Sequence, residues 1–138
     1  MILRLIEKND KEFVMSIDKH VDETRFEYRV YTKSGYIICK DNKPIGTMFQ
    51  TVLWDNIPFL NLIYVCEEER GKGYGSKATL AWEEEMKKQG YKMTLISTQV
   101  DENAQHFYRK LGYVDCGGLL FNGTPFEQPM EMFMRKIL

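Results

Sequence analysis

Residues 70–77 read Arg-Gly-Lys-Gly-Tyr-Gly-Ser-Lys, three glycines at alternate positions among the cations Arg70, Lys72 and Lys77. Glycine costs about 0.5–1 kcal/mol against alanine inside a regular element, so three together imply a backbone with a task of its own. Bare amides beside positive charge suit an anion, and phosphate is the anion that such turns commonly cradle. Two phosphate signatures fail. A P-loop needs glycine directly before Lys-Ser or Lys-Thr, whereas here Ser76 precedes Lys77. The dinucleotide fingerprint G-x-G-x-x-G fails too, because Gly71, Gly73 and Gly75 are evenly spaced and Ser76 stands where the last glycine belongs.

The elements around this turn restrict what it can hold. Ile2 to Ile6 alternates as a first strand. Asn9 followed by Glu12 predicts a capping box, opening a helix that carries Phe13, Ile17 and Val21. A second short helix with Phe26 and Val30 is expected to end before Gly35. Tyr36 to Lys40, Ile45 to Leu53 and Ile57 to Val65 predict a three-stranded meander. After the glycine turn, Gly73 to Lys88 predicts a helix with Tyr74, Ala78, Ala81, Trp82 and Met86 on one side. Strand 92–97, helix 102–111 and two final strands, from Tyr113 and over 130–137, complete a β-α-α-β-β-β-α-β-α-β-β order. The fold class is mixed α/β in one domain over residues 1–138. The strand–turn–helix–strand junction over 57–97 predicts a right-handed crossover, placing the helix N-terminus at the carboxyl end of its strand.

Composition narrows the function classes. A chain of 138 residues can bury a core without metal or disulfide staples. A formal net charge of −1 argues against nucleic-acid binding, so any attraction to phosphate must be local. The N-terminus has no long apolar run, so neither a signal peptide nor a membrane span is expected. Cys39, Cys66 and Cys116 are odd in number and far apart, which suits reduced thiols and a cytoplasmic setting. No metal is expected, and Asn122-Gly123-Thr124 reads as a plain turn.

A third phosphate reading remains. Arg70-Gly71-Lys72-Gly73-Tyr74-Gly75 matches, position by position, the R/Q-x-x-G-x-G/A segment of the GNAT superfamily of N-acetyltransferases. The stretch 101–113 resembles that family's helix ending in F/L-Y-x-K-x-G-F/Y, with Phe107, Tyr108, Lys110, Leu111, Gly112 and Tyr113 in place. The element order is the family's as well, so the resemblance covers nearly the whole chain. It implies a GNAT-like acyl-CoA N-acyltransferase fold, a central, mostly antiparallel sheet flanked by helices. It also implies acetyl-CoA as co-substrate, its pyrophosphate on amides within 70–76 with added charge from Arg70 and Lys72. Tyr64 and Val65 would offer backbone groups to the pantetheine arm. Seven residues before the tyrosine, where many relatives carry an asparagine for that arm, stands Asp101. Either Asn103 takes over that contact through a shifted helix start or the contact is absent, with Asp101 the helix N-cap.

The resemblance further implies direct attack of an amine on the acetyl thioester. Tyr108 matches the family's acid, and a phenol with pKa near 10 can protonate a departing thiolate; on its stripe alone it reads equally as a core aromatic. The base is unassigned. Many relatives carry Glu in the strand before the turn, but 57–64 contains no carboxylate, and Asn61 can only position a water or an acceptor. Glu67, Glu68 and Glu69 read as a solvated acidic turn, and His20 and His106 as surface or packed residues. A water chain through the splay between strands could serve instead. The acceptor, a small-molecule or peptide amine, would lie against the first helices, the meander and the last strand pair. Those regions supply Phe26, Tyr28, Tyr31, Tyr36, Trp54 and Phe126, most of them expected in the core. Met130, Met132 and Met134 read as core, and edge strands could pair in a homodimer. A coenzyme-binding module without chemistry, or a transferase for longer acyl chains, are the alternatives.

Overall fold

The computed structural model describes all of residues 1–138. Its elements are β1 (Leu3–Leu5), α1 (Lys11–Ile17), α2 (Glu23–Thr32), β2 (Gly35–Lys40), β3 (Lys43–Leu53), β4 (Ile57–Val65), α3 (Tyr74–Lys88), β5 (Met93–Gln99), α4 (Ala104–Lys110), β6 (Val114–Leu119) and β7 (Glu131–Ile137). The order is the expected one, and most boundaries fall within two residues of those expected. The strands form one sheet in the order β1-β2-β3-β4-β5-β7-β6. Every neighbouring pair is antiparallel except β4–β5, which is parallel as the crossover requires.

The parallel pair is short, and that shortness makes the site. Only Phe59↔Leu95 and Leu60↔Ile96 are in register, so β4 from Asn61 to Val65 has no partner on the β5 side. A bulge lies at the same level. The β3–β4 register runs Phe49↔Leu62 and then Gln50↔Leu60, leaving Asn61 as the extra residue. A bulge increases local twist, which turns the end of β4 away from β5.

Each face of the sheet has its own core. On one face Ala78, Trp82 and Met86 of α3 are fully buried with Ile38, Met48, Ile96 and Met134, joined by Tyr108 of α4 and by Met132. On the other, Val14, Val21 and Phe26 pack on Ile37, Cys39 and Phe49. The three methionines of the last strand were expected in the core, and Met132 and Met134 are buried while Met130 packs against them. At seven residues, α4 is too short to persist on helix propensity, so its burial must hold it. Behind it the Tyr113 hydroxyl donates to Glu83 Oε2 at 3.2 Å and shares a hydrogen bond with Thr94 Oγ1 at 2.9 Å. Glu83 also accepts from Lys136 Nζ at 2.6 Å, tying α3 to β5 and β7.

The first helix departs from expectation at both ends. Its start is set not by an Asn9–Glu12 box but by Asp10, which closes a 3₁₀ turn over Lys8–Asp10. The Asp10 carboxylate accepts from the Glu7 amide at 2.8 Å and from both Arg4 guanidinium nitrogens at 2.8 Å, a bidentate hold that Asn9 cannot match. The helix ends at Ile17 because the Asp18 side chain takes the His20 amide (2.9 Å), an alternative to helical bonding. Val21 is therefore outside the helix, though still buried from the turn. Of the six aromatics weighed for the acceptor, Phe26 and Tyr36 are core; Tyr28, Tyr31, Trp54 and Phe126 are exposed, contrary to the expectation that most would be buried.

Burial leaves a pH signature. It pushes the Tyr36 and Tyr108 hydroxyls up to about 12, Tyr36 with added effect from Glu85 and Tyr91. Unfolded tyrosine titrates near 10, so their contribution to stability is fully present below about pH 10 and lost as pH rises through about 12. Each such group contributes a slope of about 1.4 kcal/mol per pH unit in that window. Thermal melts from pH 9 to pH 11.5 are expected to show Tyr36→Phe losing less stability than the parent.

Candidate functional site

Between β4 and α3 the chain makes a 3₁₀ turn over Glu67–Glu69, runs extended at Arg70, and passes through Gly71 (φ 75) and Gly73 (φ 88) into the helix. Both glycines are left-handed, a conformation costly for a residue with a β-carbon. The helix's first internal bond is Lys77 N–H to the Gly73 carbonyl at 3.1 Å. The amides of Gly73, Tyr74, Gly75 and Ser76 accordingly donate to no protein group, as at any helix start without a side-chain cap.

These amides face a cleft of about 340 Å³ lined by Val65, Glu69, Arg70, Gly71, Gly73, Tyr74, Gly75, Ser76 and Phe107. A β-carbon on Gly71 or Gly73 would meet nothing within 4 Å, so the space before them is open. One on Gly75 would stand 3.6 Å from the Phe107 ring, which makes Phe107 the link between α4 and the first turn of α3. An anion of pyrophosphate size fits this donor set, with the α3 dipole adding about half a positive charge.

Of the twelve residues singled out from sequence, eight line the cleft and four do not. Tyr64 lies beneath Arg70, whose guanidinium carbon sits 5.0 Å above its ring. Lys72 is turned to Glu69, Nζ to Oε2 at 3.2 Å, instead of into the cleft. Asn103 is exposed at the N-cap position of α4 and its side chain makes no capping bond; Asp101, expected there, lies outside the helix. Tyr108 is buried behind Phe107, their rings edge-on at 5.0 Å, with Tyr113 edge-on at 5.7 Å on the far side. Burial holds its hydroxyl at about 12, and no protein group bonds it.

Arg70 serves the backbone as much as the cleft. Its Nε donates to the Val65 carbonyl at 2.8 Å, fixing the last residue of the free β4 edge. Glu69 was read as part of a solvated turn, but its side chain is only 16 % exposed and bridges Lys40 and Lys72. Hydrogen bonds from Lys72 and then Lys40 hold its carboxyl below the usual range. Lys40 and Lys77 each stand 5.8 Å from the Tyr74 ring, so the lip of the cleft is cationic. Glu69 and Lys40 are the residues that sequence reading missed, since their pairing joins the end of β2 to the 3₁₀ turn after β4 across 29 positions. Gly46 was passed over as well, although a lone glycine inside a strand pattern is a signal that could have found it. A β-carbon there would lie 2.2 Å from the Tyr64 carbonyl, so only glycine lets β3 approach the β4 end.

On the opposite side of the bulge, the Asn61 Oδ1 accepts from the Thr51 hydroxyl at 2.6 Å, and the residue is exposed. Phe59 and Phe133 pack with ring centroids 5.9 Å apart and planes tilted by 34°. His20 and His106 are exposed and neither lines the cleft.

Residues 2–113 match the model of the acetyltransferase (GNAT) family. The chain therefore belongs to the GNAT family of acetyltransferases. N-alpha-acetyltransferase 30 of Schizosaccharomyces pombe is 31% identical over 80 residues, 57% of this chain; that match takes in 49% of the relative, so the chain aligns with about half of it. The ribosomal-protein-alanine N-acetyltransferase of Brucella melitensis superposes over 100% of both chains with a TM-score of 0.82 at 20% identity. The yncA protein of Salmonella typhimurium, solved with its cofactor acetyl-CoA, gives 0.81 at 16% identity over 99% of this chain and 92% of its own. No helix here is long and apolar enough to cross a membrane.

Proposed function

We propose that the protein transfers the acetyl group of acetyl-CoA to the α-amine of an amino acid or peptide. The observation that carries the donor half is the row of four unpartnered amides, Gly73 to Ser76, facing an open cleft at the mouth of the β4–β5 split. Those amides hold the pyrophosphate, with Arg70 and the lysines at the lip adding charge. The β4 edge that lacks a β5 partner, from Asn61 to Val65, offers peptide-like hydrogen bonds to the pantetheine arm, apart from the Val65 carbonyl, which Arg70 holds, and Phe107 walls the cleft. When bound, the coenzyme supplies an activated acetyl thioester. Tyr108 holds the proton that the departing sulfur needs.

The acceptor half rests on how little activation an α-amine needs. The one carboxylate lining the cleft, Glu69, is tied to two lysines. A lysine ε-amine, with pKa about 10.4, is neutral in about one part in 2,500 at pH 7, a deficit of about 4.6 kcal/mol. An α-amine, with pKa about 7.7–8.0, lacks only about 1 kcal/mol. The second needs no strong base, and the S. pombe relative is named for α-acetylation. Phe59, Phe133 and Asn61 are the surface such an amine would approach.

The test compares two peptides, one with a free N-terminus and no lysine, one N-blocked with a single lysine. The first is expected to show kcat/KM at least about tenfold higher at pH 7. Its pH profile is expected to rise to a plateau near pH 8 and stay flat to pH 10, because the Tyr108 proton is not lost until about pH 12. A preference for the lysine peptide would overturn the acceptor assignment. Coenzyme binding with transfer to neither, nor to free amino acids, would leave a binding module without chemistry.

A further inference from the structure

The helices cover the sheet unevenly. On one face α3 and α4 pack; on the other, the core under α1 and α2 reaches Ile37, Cys39, Phe49 and Leu62, and goes no further across the sheet. Cross-strand pairing fixes which side chains stand on this second face beyond that core. Phe59, Leu95 and Arg135 form one row, Ser97 and Phe133 the next, Gln99 and Glu131 the last. The Phe59 and Phe133 rings meet on it at 5.9 Å. Asn61 is turned to the same face by its bond to Thr51, the register partner of Phe59. β4 and β5 pair last at Leu60↔Ile96, so the rows of Phe133 and Glu131 lie beside the split, and Arg135 lies beside the closed part.

Two charges stand on this otherwise apolar and neutral surface. Of β4, β5 and β7, only Glu131 and Arg135 are charged on this face, since Lys136 points the other way to Glu83. Neither is neutralised within the protein. Glu131 accepts from the Gln128 side-chain amide at 3.0 Å and meets no cation. Arg135 forms no salt bridge; Asp115, next to its β6 partner Val114, is paired with Arg109 at 2.8 Å. Along a strand, at about 3.3 Å per residue, Phe133 stands about 6.6 Å and Arg135 about 13 Å behind Glu131. An extended peptide has the same pitch and turns alternate side chains to one side. A peptide whose amino group lies at Glu131 therefore presents its second residue to Phe133 and its fourth to Arg135.

We propose that this face selects the acceptor: an extended peptide with its N-terminal amine at Glu131, an apolar second side chain on Phe59 and Phe133, and a carboxylate at its fourth residue on Arg135. The face is continuous with the split, and its charges complement such a peptide in sign and spacing. The inference rests on the α-amine acceptor reading and narrows it to peptides, because a free amino acid is too short to reach Arg135 from Glu131.

Three peptide amides test it: Ala-Phe-Ala-Glu-Gly-Gly, its arginine variant at position four and its serine variant at position two. Each is assayed for acetyl transfer and titrated calorimetrically into protein saturated with free coenzyme A, where no acetyl group is present. The parent peptide is expected to bind about tenfold more tightly than the arginine variant, and about tenfold more tightly than the serine variant. Arg135→Glu is expected to invert the first preference, which a mere loss of packing would not do. Glu131→Gln is expected to weaken all three about tenfold. Transfer to all three with equal affinities, an unchanged order in Arg135→Glu, or undiminished binding in Glu131→Gln would overturn this inference and leave the acceptor reading standing. Transfer to none of them would overturn the acceptor reading, and this inference with it.

Discussion

Gly73→Val is expected to abolish acetyl-CoA binding in a chain that still folds. Gly73 caps α3 at φ 88 and ψ 3, where a β-branched residue is strained by about 1–3 kcal/mol. That is less than the roughly 5–15 kcal/mol that holds a domain of ordinary stability. No protein atom lies within 4 Å of the new β-carbon, so the substitution meets no internal clash. Its effect falls on the loop, which must leave the left-handed region and re-aim the amides of Tyr74, Gly75 and Ser76. Calorimetry should show at least a hundredfold loss of affinity, about 2.7 kcal/mol. The melting midpoint should drop by only about 3–10 °C. Unchanged affinity would mean that the amides do not form the anion site.

Tyr108→Phe carries the second large effect, in the opposite parameter. The phenylalanine keeps the edge-on contacts with Phe107 and Tyr113, and it strands no protein group, because the hydroxyl bonds none. Folding and coenzyme affinity should therefore be preserved. What disappears is the one proton near the cleft held at about 12, and loss of a general acid typically lowers turnover by about 10²–10⁴-fold. Steady-state kinetics are expected to show kcat falling by at least about a hundredfold with KM for acetyl-CoA within about threefold. Equal losses in kcat and in coenzyme affinity would make Tyr108 a packing residue.

The site was legible in sequence to the extent that it is built from backbone. Gly71 and Gly73 are glycine because of φ, and the helix stripe through Ala78, Trp82 and Met86 fixes which way α3 faces. Local chemistry of that kind leaves a mark in a short window. Side-chain pairing across the fold leaves none, and there the reading failed. Glu69 looks solvated among three glutamates until Lys40 arrives from the end of β2, and Lys72 looks free until Glu69 takes it. The start of α1 went to Asp10 and not Asn9 for the same reason, since its deciding partner, Arg4, belongs to β1. The Asn61 bulge is equally silent, because an inserted residue is visible only against its partner strand. Gly46 is the exception, a long-range constraint that a glycine within a strand pattern does signal.

The most direct test of the donor site is a thermal-shift titration of the protein with acetyl-CoA, run beside ATP and NAD. Saturation to a hundred times the dissociation constant adds about 2.7 kcal/mol, which for a chain of this size raises the midpoint by roughly 10 °C. A rise of that order with acetyl-CoA, absent with ATP and NAD, is the expected result. No rise, or one shared equally by the three ligands, would make the Gly71–Ser76 turn a generic anion site and contradict the assignment of the cleft to acetyl-CoA.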